Sequence, residues 1–98
     1  MDSPNNLTGS TTVVASERAI STTLDGEEVI LDRDDGEYYG LNEVGTFVWE
    51  LLEQPQSIDD LCDDVTARYD VEYERCRNDI EELAIELADK NLVRLDDT

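Results

Sequence analysis

The stretch Asp35-Gly36-Glu37-Tyr38-Tyr39-Gly40-Leu41-Asn42-Glu43-Val44-Gly45 (DGEYYGLNEVG) runs from a turn signal through a short extended segment into a helix start. Asp-Gly marks a turn because glycine adopts positive φ at no steric cost. Asn42 is a side chain suited to capping a helix, and Glu43 places a carboxylate in the first turn, where the helix dipole favours it. One strand of about five residues fits between the two signals, Glu37 to Leu41, so Tyr38 and Tyr39 point to opposite faces of a sheet. Tyr39 and Leu41 then share one face and Tyr38 takes the other.

Working back from Asp35, the chain reads as two further strands, Ala19 to Leu24 and Glu28 to Asp32, joined by a turn at Asp25-Gly26. Asp-Gly between short β-prone runs is the strongest local hairpin signal, so the three strands form an antiparallel meander. Alternation puts Ile20, Thr22 and Leu24 on one face of the first strand, and Val29 and Leu31 on one face of the second.

Working forward, three helices follow. Val44, Phe47, Val48, Leu51 and Leu52 recur at helical spacing until Pro55. Ser57 opens a second helix, with Asp60 as a carboxylate variant of the capping box and a stripe of Ile58, Leu61, Cys62, Val65 and Tyr69. A third, capped by Asp70, runs to about Lys90, where Asn91 is a natural stop; its stripe is Tyr73, Cys76, Ile80, Leu83, Ala84 and Leu87. Leu92 to Leu95 returns to an extended segment. The pattern is a small α+β domain of winged helix-turn-helix type, a three-stranded antiparallel sheet followed by three helices. Residues 1–16, rich in Ser, Thr, Asn and Gly, read as a mobile arm, although Val13-Val14-Ala15 is able to start a strand; residues 17–98 form the domain.

Composition narrows the function. The 98 residues carry 26 acidic and 7 basic side chains, a net charge of −19. Nucleic-acid binding begins with Lys and Arg neutralising phosphates, so this surface repels DNA and RNA. The acid is spread along the chain beside 39% apolar residues in periodic patterns, which argues for an ordered core under a uniformly acidic skin. Such a skin suits a high-salt cytoplasm, and a halophilic source is inferred. No apolar run reaches the roughly 20 residues of a membrane span, so a soluble, cytoplasmic protein is expected.

Catalytic constellations are scarce. There is no histidine, no glycine-rich phosphate loop, and the two cysteines, Cys62 and Cys76, fall on apolar helical stripes as buried free thiols. Asp59-Asp60 and Asp63-Asp64 stand at i, i+4 spacing, but in so acidic a chain they read as a solvated face; neither metal nor cofactor is expected.

On the third helix, Arg77, Glu81, Ala84, Ile85 and Ala88 lie on or beside the core stripe. Two readings stand: the alanines permit close packing by the third strand, or they leave room for a peptide that Ile85 contacts and that Arg77 and Glu81 orient. The third strand, Glu37, Tyr38, Tyr39 and Gly40, would supply the other wall. Its outer edge has unpaired backbone groups that an extended peptide can join by β-augmentation, and that two copies of the chain can equally use to dimerise.

The ordered series Gly36, Tyr38, Leu41, Asn42, Gly45 and Trp49, continued by Ile58, Leu61, Tyr69, Asp79-Ile80 and Leu92, resembles the PqqD-like family, the stand-alone recognition domains of pathways that modify ribosomally made peptides. The resemblance spans about Ala19 to Leu95. It implies a winged-helix-like fold, no catalytic activity, and capture of a precursor's leader segment as a strand added to the third strand, in a groove closed by the third helix. Glu37 to Gly40 and Arg77, Glu81, Ala84, Ile85 and Ala88 are the positions it implicates. The form with YYGLNEVG and WELL is most similar to subunits of lasso-peptide assembly, which work beside a leader peptidase and a cyclase; partners of radical-SAM peptide maturases are the alternative. From another class, a winged-helix transcription regulator is opposed by the acids of the third helix, and a metal-dependent hydrolase fragment would require uptake of a divalent cation.

The acidic skin makes folding salt-dependent: far-ultraviolet circular dichroism in dilute buffer should show lost helical signal that molar KCl restores, and full folding without salt would contradict the halophilic reading.

Overall fold

The computed structural model describes residues 7–96. In chain order the elements are β1 (Thr12–Ala15), β2 (Ala19–Leu24), β3 (Glu27–Asp32), β4 (Tyr38–Gly40), α1 (Glu43–Leu51), β5 (Gln56–Ser57), α2 (Ile58–Arg68), α3 (Tyr73–Asp89) and β6 (Val93–Asp96). The expected meander is present, with strands ordered β2-β3-β4. Its first hairpin turns through Asp25 and Gly26, both at positive φ (53° and 82°), the two-residue turn whose twist matches that of the strands.

A second three-stranded sheet, ordered β5-β1-β6, adds to the expectation. β1 lies in the stretch read as a mobile arm, and Met1 to Asn6, the first part of that arm, lie outside the described residues. The folded domain therefore begins well before residue 17. Val13 and Thr11 are buried, and the Thr11 carbonyl accepts the Ile58 amide (3.0 Å), tying β1 to the start of α2. Four residues pair with β6 across a separation of some eighty positions, which local patterning does not report.

The helix starts follow the capping logic, with one exception. Asn42 Oδ1 accepts the Gly45 amide (2.8 Å) and Ser57 Oγ accepts the Asp60 amide (3.0 Å). Asp70 does not cap α3: the helix begins at Tyr73 behind Glu72, with no side-chain bond to its first amides. At the other end Asn91 takes φ 62°, the Asn91 amide reaches the Ala88 carbonyl and the Leu92 amide reaches Leu87, a Schellman-type stop.

The core sits between the helices and the inner faces of both sheets: Ile30, Leu41, Val48, Ile58, Leu61, Val65, Ile80, Leu87 and Leu92 are all buried, as are the free thiols of Cys62 and Cys76. Burial pushes the Cys62 thiol up to about 11, so it behaves as a small apolar side chain. The core residue of β3 is Ile30, at 0% exposure, and its cross-strand partner is Tyr39. The apolar residues that alternation grouped together do share a face, opposite Ile30: there Ile20 is 44% and Leu24 51% exposed, while Val29 is buried at 6%. Ile30→Ala should accordingly cost about 2–5 kcal/mol in a denaturant melt. Ile20→Ala should cost under about 0.5 kcal/mol, as an exposed substitution does; comparable losses would overturn this assignment of faces.

Candidate functional site

β4 is the outer strand of its sheet, and among the described residues no strand lies beyond it. The Asp32 amide bonds the Glu37 carbonyl (2.8 Å) and the Leu41 amide bonds the Glu28 carbonyl (2.9 Å). Antiparallel pairing alternates, so between these two positions Tyr39 turns its backbone groups inward to Ile30. The N–H and C=O of Tyr38 and Gly40 then point outward along the free edge. That edge is a row of unused donors and acceptors.

Beside it lies a cavity of about 270 Å³ between β4, α1 and α3. Leu41, Val44, Val48, Ile80 and Leu83 give it an apolar lining, while Arg75 and Asp79 supply polar groups. Further along the same strand is an open hollow bordered by Asp35, Glu37, Glu86, Asp89, Lys90 and Asn91, four carboxylates against one ammonium. Between the two, the Tyr39 hydroxyl donates a hydrogen bond to Glu86 Oε1, joining β4 to α3. Burial, followed by the bond to Glu86 and the charge of that carboxylate, pushes the Tyr39 phenol up to about 12.

The strand residues expected at the site are gathered here: Tyr39 and Gly40 line the cavity and Glu37 borders the hollow. Tyr38 contributes its backbone to the edge, but its side chain, 65% exposed, lies on the outer face in register with Leu31 and Ile20. The helix residues are placed differently from the expectation. Arg77 bonds Glu81 (Nε to Oε2, 2.8 Å) and lies 3.7 Å from Asp59 Oδ1, facing α2; the bond to Glu81 raises its pKa. Ala84 is buried in the core and Ala88 packs against it. Ile85 and Glu81 border a separate hollow with Asn78 and Glu82. None of these five lines the cavity beside β4.

The reason is geometric. At 100° per residue, Arg77, Ala88, Glu81 and Ile85 fan out about 60° to 140° on one side of Ile80, and Leu83, Asp79, Glu86 and Arg75 fan out about as far on the other. A helical wheel presents both flanks alike, and the one facing β4 is the second. Arg75, Asp79, Leu83 and Glu86, which the sequence reading did not single out for the site, are therefore the α3 residues beside β4.

An open edge strand beside a helix-lined apolar cavity, on a winged-helix scaffold, defines a class of small α+β domain. Two solved structures are similar to this chain. One, described as TbiB1 in complex with the TbiA(beta) leader peptide, is 31% identical, with a TM-score of 0.74 over 83% of this chain and 94% of that chain. The other, described as lasso peptide synthetase B1 complexed with the leader peptide, is 25% identical, with a TM-score of 0.71 over 84% of this chain and 96% of that one. The family model of PqqD, coenzyme PQQ synthesis protein D, matches residues 27–93. The chain belongs to the PqqD family. No curated protein matches it.

The phenol of Tyr39 offers a direct check. Its folded-state pKa lies above the ordinary 10, at about 12, so the stability it contributes is present below pH 10 and lost as pH rises towards 12. In an absorbance titration of the folded protein, the difference between the unsubstituted chain and Tyr39→Phe should show an ionisation near 12; one at the ordinary tyrosine value would mean the phenol is neither buried nor bonded to Glu86.

Proposed function

We infer that the protein is a non-catalytic binding module that captures the leader segment of a ribosomally made precursor peptide as a strand added to β4, and presents it to a leader peptidase or other modifying enzyme of lasso-peptide assembly. The observation that carries this is the outward row of backbone groups at Tyr38 and Gly40, set directly against the cavity of about 270 Å³. The two related structures named for leader-peptide complexes support it.

Magnitudes show why edge and cavity must act together. Two residues offer two N–H and two C=O groups, each hydrogen bond worth about 1 kcal/mol net, so the edge alone reaches only about millimolar affinity. Ordering the peptide would consume most of that. One apolar side chain seated among Val44, Val48, Ile80 and Leu83 adds about 1.5–3 kcal/mol and selects which peptide binds. At the other end, the carboxylates of Asp35, Glu37, Glu86 and Asp89 favour a basic residue and repel an acidic one.

Fluorescence polarisation with a labelled synthetic leader, taken from the precursor peptide encoded beside this chain's gene and measured in molar KCl, tests the reading. Gly40→Pro deletes one outward N–H at an edge position that tolerates proline, and Leu83→Glu places a charge in the cavity. Each should weaken binding by about tenfold or more. Ile85→Ala should leave it unchanged. Absence of binding by the unsubstituted domain would refute the proposal.

A further inference from the structure

The turn that delivers β4 holds an ion cluster that the groove does not account for. Asp32, at the end of β3, is buried at 2% exposure yet keeps its carboxylate. Its Oδ1 accepts the amides of Asp34 (2.9 Å) and Asp35 (3.4 Å), which folds residues 32–35 into a tight loop. Arg18, in the linker between β1 and β2, closes over that loop: its guanidinium lies 3.1 Å from Asp32 Oδ2, 3.0 Å from Asp34 Oδ2 and 3.6 Å from Asp35 Oδ2. One cation thus meets three carboxylates belonging to four consecutive residues, in a chain of net charge −19.

The linker is itself anchored. The Ser16 amide bonds the Leu92 carbonyl just beyond α3 (2.9 Å), the Arg18 amide bonds Ser16 Oγ (3.1 Å), and the Arg33 amide bonds the Arg18 carbonyl (2.9 Å). A continuous path of bonds therefore runs from the end of α3 through Ser16 and Arg18 to the turn, and from the turn through the Asp32 amide and the Glu37 carbonyl into β4. α3 and β4 are the two walls of the groove.

The geometry points to Arg18 as a positioning residue of the peptide-receiving edge: it sets the place of β4 against α3 without touching the peptide. The inference rests on the strand-addition reading for its functional consequence, and on the ion cluster alone for its structural one. Losing the guanidinium leaves the Asp32 carboxylate buried without its counter-charge beside two exposed carboxylates that repel it, and the loop opens to separate them. In the intact protein the Asp34 amide first, with the Asp35 amide and Arg18, holds the Asp32 carboxyl below the usual range, against the burial that would raise it. Lysine cannot replace the planar fork that meets several carboxylates at once.

Amide exchange by two-dimensional NMR, without peptide and under conditions where each variant is folded, tests the structural half. In Arg18→Gln the amides of Asp32, Gly36 and Leu41, all bonded across the turn or β4, should exchange about tenfold faster while those of β1 and α2 keep their rates. Arg18→Lys should fall between, and it serves as the reporter if the glutamine variant does not fold. A uniform rise across the domain, or no change at the edge, would overturn the proposal. Polarisation with the same labelled leader tests the functional half: as the competent edge becomes a minority state, affinity should drop by about tenfold. Locally faster exchange with unchanged affinity would also overturn it. If the unsubstituted domain binds no leader, strand addition fails while the exchange result still decides whether Arg18 holds the edge.

Discussion

A strand of three residues cannot hold its own position, and β4 is tied at both ends. At its C-terminal end Leu41 is buried and the next residue, Asn42, is committed to capping α1 through the Gly45 amide. At its N-terminal end the turn from Asp32 to Glu37 is closed by backbone bonds and by the carboxylate cluster under Arg18. With both ends held, the single inward pairing at Tyr39 is enough to keep Tyr38 and Gly40 facing out. An edge that is held but unpaired is ordinarily an aggregation hazard. Here the dense negative charge of the chain and the shortness of the strand reduce that hazard, because a second copy must bring the same charge to the same place.

α3 carries two jobs on adjacent faces. Its stripe of Cys76, Ile80, Ala84 and Leu87 fills the core, and the flank bearing Arg75, Asp79, Leu83 and Glu86 faces β4. The Tyr39 to Glu86 bond joins the walls midway and divides the space into an apolar compartment and an acidic one. Tyr39 ties the two walls together in three ways: its side chain packs against the core, its backbone pairs inward with Ile30, and its hydroxyl bonds the helix at Glu86.

Much of the architecture was legible because it is written in local chemistry. Asp25-Gly26 adopts the positive φ pair of a hairpin, Asn42 and Ser57 cap the helices they precede, and Asn91 ends the third in the left-handed region. Each signal acts within about four residues, so no knowledge of the fold is needed to read it. Asp70 carries the same local signal without acting on it, because a capping side chain only caps if the helix starts beside it, and α3 starts at Tyr73. The Val13-Val14-Ala15 run carries only a weak strand signal because its partners, β5 and β6, are distant in the chain.

By itself the sequence determined the class of the domain, the order of its meander and helices, the open edge at Tyr38 to Gly40, and a net charge of −19, since turn chemistry, periodicity and charge are properties of neighbours and totals. Only the tertiary structure decided which face of the meander meets the main core, where Ile30 is fully buried while Ile20 and Leu24 opposite it stay exposed, and which flank of α3 lies beside β4. Both are questions of handedness: a strand has two faces and a helix two flanks that periodicity treats alike, and only packing of one element on another breaks the symmetry.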